Sequence, residues 1–500
     1  MPEQKIKTIS SWGAKFLSSI FYIGVFVVAG FLLFTSPRSA FAGACHALST
    51  GTWTAAGTGT ATWTATAGAC NGTSGRPSAT DDVTIDNGAN LTVSWNATVG
   101  SITIATGGTL TIAAGTSITV SGAVAGGGLI ASGTSSTART LNVGGDWNFT
   151  GTFSGSKLQL VFNGTGTQTI ASNATIGQAS NALSVFQVNK ASGTLNIANS
   201  ITATNITTLT LTAGAVNYSG ASQNVLAGTY PTTLDFSGSG TKTLLGNTIS
   251  VGAWTNGSGV TIASGNFTMT FQNSWVNNGV ALNAGSSPIT ISGTATSNIA
   301  GFTTTGLVTY SRTAGTATMT GSISGGAFTL NGSGGTLNLG TGLTHTFTGT
   351  FTRTAGTLTM DGNTLNLGGT VSGSGGTLNF NSGTVNYNGG AQTMAIATYN
   401  NLTLSGNGIK TFPTGTITVN GILSIENGTN ANTFTGSLAY GASATLQYNA
   451  GSSNRTVSTE WPSVFTGTGG IVIKGTGIIT LNGIKQIGNN TSVPLNINNG

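Results

Sequence analysis

From Val83 the chain alternates apolar residues with threonine in short runs: Val83-Thr84-Ile85, Leu91-Thr92-Val93, Ile102-Thr103-Ile104, Leu110-Thr111-Ile112 and Ile118-Thr119-Val120. A period of two built from β-branched residues predicts strands with one face inward. A shift of 19 residues carries Val83 onto Ile102, Ile85 onto Ile104, Gly88 onto Gly107, Leu91 onto Leu110 and Val93 onto Ile112. Two strands and two turns therefore recur as a unit. Farther along, RTAGT occurs at Arg312–Thr316 and Arg353–Thr357, and SGGTLN begins at Ser333 and Ser374, each pair 41 residues apart. That is close to two of the shorter units, so both signals give about twenty residues per coil. A unit so small cannot bury an apolar face alone, whereas stacked units share one core. The predicted fold is all-β, an elongated parallel β-helix (β-solenoid). With strands roughly 4.8 Å apart it forms a rod on the order of 100 Å long.

Composition agrees with a stack. Asp, Glu, Lys and Arg make up 5% of 500 residues, against about 25% in an ordinary soluble domain. Like charges at one coil position would repel in every layer, as directly opposed strand pairs do. A mean hydropathy of +0.19 and a formal charge of +6 disfavour wholesale disorder. Turns are supplied by pairs such as Asn87-Gly88, Asn163-Gly164, Asn331-Gly332, Asn420-Gly421 and Asn482-Gly483.

The N-terminus follows a different pattern. Lys5, Lys7 and Lys15 precede an apolar run from Phe16 to Phe34, then Pro37 and Ala40-Phe41-Ala42. Charge, hydrophobe and small-residue site in that order read as a secretory signal peptide over 1–42, cut between Ala42 and Gly43. The competing reading is an uncleaved membrane anchor. Either one places the rest of the chain outside the cytoplasm, secreted or at the cell surface. The mature chain keeps 11 basic and 8 acidic residues. Its Lys and Arg are scattered singly and form no basic patch, so nucleic acid is not an expected partner. Cys45 and Cys70, the two cysteines, are expected to pair in an oxidising compartment. They would staple residues 43–80, with Trp53 and Trp63, into a cap on a repeat region spanning 81–500. Lipidation of Cys45 is the alternative, although the usual leucine three positions upstream is missing.

A longer repeat overlies the short one. Val216-Asn217-Tyr218-Ser219-Gly220 leads to Gln223, Tyr230 and Lys242, and Val385-Asn386-Tyr387-Asn388-Gly389 leads to Gln392, Tyr399 and Lys410. Weaker copies start at Val161, with Gln168 and Lys190, and at Leu446, with Trp461 and Lys474. The stretch TYNNLTLSGNGIKTF (398–412), followed by TGTITVNGILSIENGT (414–429), resembles the bacterial secreted β-strand repeat proteins of adhesin-like, parallel β-helical type. So does the opening GTWTAAGTGTATW with ATDDVTIDNGANLTV. The resemblance covers roughly 80–500. It implies architecture and surface display, and it carries no catalytic residue with it.

The candidates for chemistry are few. Asp81, Asp82 and Asp86 form the one acidic cluster, and paired carboxylates can serve glycoside chemistry. The favoured reading is a polar turn entering the first coil. Asp146, Asp235, Asp361, Glu426 and Glu460 stand alone in sequence. His46 beside Cys45 lacks the further ligands a zinc site needs, and His345 in LTHTF reads as a strand-surface residue. No metal or other cofactor is expected. The sequence thus predicts a non-catalytic, adhesin-like or coat-forming surface protein. Its Thr, Asn and Ser faces would make weak multivalent contacts with glycans or other extracellular polymers, or laterally with further copies. The alternatives are a polysaccharide lyase or hydrolase on the same scaffold, and a passenger segment of a larger anchored protein.

Overall fold

The computed structural model describes residues 44–498, apart from 56–60, 62, 66–69, 71–75, 133–134, 427–432, 435 and 489–492. The expected signal segment, 1–42, and the expected cleavage position between Ala42 and Gly43 lie outside the described residues. The chain winds into a parallel β-solenoid of about 19 turns with about 21 residues per turn. At the usual strand spacing this is a stack about 90 Å long.

The alternation seen in sequence is the alternation of burial. In Thr109–Ile112 the side chains of Leu110 and Ile112 point inward and the threonines outward. The first coils carry three strands each, such as Asp82–Ile85, Asn90–Val93 and Ala97–Val99. Each strand pairs with its counterpart one coil on, so the core consists of columns. Val83, Ile102, Val124 and Trp147 form one column, and Leu91, Leu110, Ile130 and Phe153 form another. The 19-residue shift is therefore the register of the first coils, and the 41-residue spacing is two coils, Thr316 to Thr336 to Thr357. Coils lengthen where a turn bulges, as between Phe328 and its partner Phe351, 23 residues on. Gly88 and Gly107 occupy the same turn with φ of +81° and +86°, and the Gly88 N–H donates to the Gly107 carbonyl. That backbone conformation is accessible to glycine at little cost.

Wide coils are filled by aromatic rings. Phe236, Trp254, Phe271 and Trp275 follow one another at centroid separations of 5.0 to 5.5 Å along the chain of contacts, the range of favourable edge and offset packing. At the N-terminal end, Ala44–Ala47 pairs in parallel with Asp82–Ile85 and antiparallel with Trp63–Ala65. The antiparallel strand covers an edge that the stack would otherwise leave open. A disulfide joins Cys45 to Cys70. Trp53 packs edge-on against Trp63 and Trp95 at 5.6 and 5.8 Å, and the Arg76 guanidinium lies 4.8 Å from the Trp95 ring centre.

Candidate functional site

The acidic cluster does not form a constellation. Asp81 is buried and its Oδ2 accepts the Ser78 N–H at 2.8 Å, closing a turn. Asp82 accepts the Ser101 hydroxyl at 2.6 Å, and Asp86 faces His46 Nδ1 at 3.2 Å. Three further carboxylates are equally local. Asp146 accepts the Thr169 N–H, Asp361 the Asn338 amide, and Glu426 the Ser424 hydroxyl and the Asn449 amide. Asp235 is half-buried, and desolvation pushes its carboxyl up from the usual value. Among the described residues no three His, Cys, Asp or Glu side chains gather as a metal site would require.

His345 departs from its expected place on the strand surface. It is fully buried, with Nε2–H donating to the Leu339 carbonyl at 2.8 Å and Nδ1 accepting the Ile323 N–H at 3.1 Å. That pairing fixes the neutral Nε2–H tautomer, and burial lowers the imidazole pKa. The inward direction follows from parity, since His345 and the core residue Phe347 lie two apart on one strand.

The long repeat proves to be a set of polar pins at the corners of the coil. Lys410 Nζ donates to the carbonyls of Gly389 and Gly390 and to Gln392 Oε1 at 2.6, 2.8 and 2.9 Å. Gln392 Nε2 donates in turn to the carbonyls of Leu367 and Gly369, one coil earlier. Three donors meet three acceptors, and the pair ties three successive coils. Lys242 with Gln223 repeats the arrangement on Gly220, Ala221, Ile197 and Asn199. Lys190 with Gln168 repeats it on Gly164, Gly166, Val143 and Gly145. Desolvation lowers all three ammonium groups to about 8.

Beside two of these pins lies a ring of hydrogen bonds. Leu226 N–H donates to Tyr218 Oη, and the Tyr230 hydroxyl donates to the Leu226 carbonyl. The remaining proton on Tyr218 then bridges the 2.7 Å to Tyr230 Oη. Tyr387, Tyr399 and Ala395 build the same ring, with 2.9 Å between hydroxyls. Next to each ring is a shallow groove in the equivalent place. One, of about 380 Å³, is lined by residues including Arg353, Ser374, Ile396 and Pro413. The other, of about 160 Å³, is lined by residues including Ile206, Ala227 and Leu245.

Six of the eleven basic residues beyond position 42 are thus inside the stack: Arg139, Lys190, Lys242, Arg312, Arg353 and Lys410. The outer faces carry neutral polar ladders instead. Asn386 donates to Asn366 Oδ1, Asn366 to Thr346 Oγ1, and the Ser405 hydroxyl to Asn386 Oδ1, at 3.1, 3.3 and 2.7 Å. Asn196, Asn217 and Ser237 form a second ladder. Sequence reading found the recurrence of Gln, Tyr and Lys but not the pins, because most of the acceptors are main-chain carbonyls. Comparison with protein-family models, with curated proteins and with solved structures finds no match, so the assignment of fold stands on the coil register itself.

Proposed function

We propose that the protein is a non-catalytic, extracytoplasmic display rod, adhesin-like or coat-forming, of the bacterial secreted β-strand repeat type. The observation that carries this reading is the inversion of polarity. Six of the eleven basic side chains beyond position 42 are drawn inside the stack, while its outward faces carry half-buried threonine, asparagine and serine ladders in register from coil to coil. A neutral ladder repeated at strand spacing offers the same donors and acceptors many times over. Individually weak contacts with a glycan or a neighbouring polymer then add through multiplicity. The disulfide suits an oxidising compartment. Carboxylates that each satisfy a separate local partner give no support to the lyase or hydrolase alternative.

The test is a glycan and polysaccharide panel probed with residues 43–500, for binding and for turnover in parallel. Binding that strengthens steeply when the protein is arrayed at high density, with no product formed, is expected. Turnover lost on Asp81→Asn or Asp82→Asn would overturn the reading in favour of an enzyme.

A further inference from the structure

The two grooves beside the tyrosine rings occupy the same place in the long repeat but differ in size and charge. Eight residues after the first tyrosine of each ring, Leu226 donates its N–H to Tyr218 and Ala395 donates its own to Tyr387. Both residues line their grooves, so a leucine side chain stands in one where an alanine methyl stands in the other. The leucine copy leaves about 160 Å³ and the alanine copy about 380 Å³. Small-molecule sites occupy roughly 300–1,000 Å³, a range that only the second groove reaches. Its lining passes from Arg353 through Val371 and Ser374 to Met394 and Pro413, on four successive coils. Three strand spacings make it a slot about 14 Å long, running along the rod.

The lining narrows the occupant. Arg353 stands at one end of the slot. Its Nε and Nη2 are used on the carbonyls of Ser374, Gly375 and Gly376, whereas Nη1 makes no hydrogen bond within the described residues and keeps access to solvent. Neither ion pair among the described residues, His46–Asp86 or Arg455–Glu460, involves this arginine. A guanidinium with open N–H groups and no counter-ion favours a carboxylate. Beyond it, Val371, Met394, Ala395, Ile396 and Pro413 offer apolar surface, and Ile396 is left 48% exposed. The side-chain hydroxyls are those of Ser374 and Thr393, and no aromatic ring lines the slot among the described residues. A sugar laid there would bury more hydroxyls than it could pair. An alkyl chain has none to satisfy, and each methylene it covers is stabilising. The smaller groove has no charged residue in its lining, so it offers the apolar half of this chemistry alone.

We infer that the groove from Arg353 to Pro413 binds the anion of a free medium-chain fatty acid, with the carboxylate on Arg353 Nη1 and the alkyl chain along Val371, Met394 and Ile396. The sister groove, filled by Leu226 and lacking an arginine, is the copy in which the site is not built.

The test is titration calorimetry of the disulfide-bonded protein with octanoate, octanol, acetate and glucuronate. Saturable binding of octanoate is expected, with octanol weaker by about tenfold for want of the charge-assisted bond. Acetate and glucuronate should show no saturation. Ala395→Leu gives the groove the side chain of its smaller copy and should abolish octanoate binding. Leu226→Ala, which enlarges the groove that has no arginine, should leave the octanoate affinity unchanged. Octanol binding as tightly as octanoate, glucuronate binding in its place, octanoate binding indifferent to Ala395→Leu, or no saturable binding at all would overturn the inference. Should Ala395→Leu fail to fold, wild-type crystals soaked in ω-bromo-octanoate decide: bromine beside Met394 or Ile396 upholds the site, and bromine elsewhere or absent refutes it.

Discussion

Tyr387 and Tyr448 begin the same module, and twelve residues on the two copies part company. The first has Tyr399 and the second has Glu460. In the first, two phenols and one peptide group close a neutral ring in which each donor and acceptor is used. In the second, Glu460 is fully buried. It accepts the Ser458 N–H at 2.9 Å and the Tyr448 hydroxyl at 3.3 Å, faces Arg455 Nε at 3.9 Å, and offers its own carbonyl to the Tyr440 hydroxyl. The Gln–Lys pin has gone as well, since Lys474 is exposed. The difference shows what the corner demands. Position twelve needs a group that answers a buried phenol, and a carboxylate will serve only if a cation comes with it. The neutral version depends on geometry alone, while the charged version depends on its partner.

Removing the dependent partner should therefore have the larger effect. Glu460→Ala leaves Arg455 beside a buried void without its carboxylate, and breaking a buried pair in this way costs about 3–5 kcal/mol. The Tyr399→Phe change leaves the Ala395 carbonyl and the Tyr387 hydroxyl short of one partner each, a loss of about 1–3 kcal/mol. Because a solenoid unfolds coil by coil, hydrogen exchange resolved along the sequence is the right measurement. Protection should fall around residues 440–474 for the first variant and 387–412 for the second. Equal losses, or a larger one at Tyr399, would reverse the ranking of charged over neutral corners.

The pins make the comparison sensitive to pH. The folded lysines titrate near 8 and the unfolded ones near 10.5. Between those values the unfolded chain binds more protons, so stability rises with pH. The buried tyrosines act in the opposite sense. Tyr218 is pushed up to about 12 and Tyr230, Tyr387 and Tyr399 are also raised. Above the ordinary phenol value the unfolded chain alone gives up those protons, and stability falls. Urea midpoints should therefore rise from about pH 8 and pass through a maximum near pH 10. Lys190→Met, Lys242→Met and Lys410→Met together should flatten the rising limb only. On the acid side, His345 is held neutral, with its folded pKa below the unfolded one. Its contribution is present above about 6.5 and lost as pH falls below that. In a His345→Gln variant the loss of midpoint between pH 7 and 5 should shrink, and an unchanged slope would contradict the neutral tautomer assigned here.

How much of this could be read beforehand follows from where the information sits. The columns were legible because Val83, Ile102 and their successors carry their inward direction in their chemistry, and a shift of 19 aligns turns as well as strands. The recurrence of Gln392, Tyr399 and Lys410 was visible too, but its meaning lay in the carbonyls of Gly389, Gly390, Leu367 and Gly369, which a sequence does not distinguish from any others. Lys410 and His345 were legible in parity alone, because each lies two residues from an inward phenylalanine, Phe412 and Phe347. For His345, the reading as a strand-surface residue overrode that phase. The exchange of Tyr399 for Glu460 stayed hidden because the copy starting at Leu446 was matched on Trp461, the next residue.

The smallest expected effect concerns the outside of the rod and separates holding from displaying. Asn386 lies in the half-buried outward ladder between Asn366 and Ser405, where water can still reach and replace either partner. Asn386→Ala should therefore cost about 1 kcal/mol or less, well under Tyr399→Phe, although Asn386 adjoins Tyr387 of the same ring on one strand and points to its opposite face. If the ladder is the contact surface, the same change repeated at Asn366 and Asn386 should weaken adhesion of a densely arrayed protein far more than it weakens folding. Each lost rung removes one contact from every rod, and multiplicity amplifies small losses. Dissociation from a glycan-coated surface, measured beside the urea midpoint, checks this. A loss of adhesion no greater than the loss of stability predicts would reduce the ladder to a structural ornament of the stack.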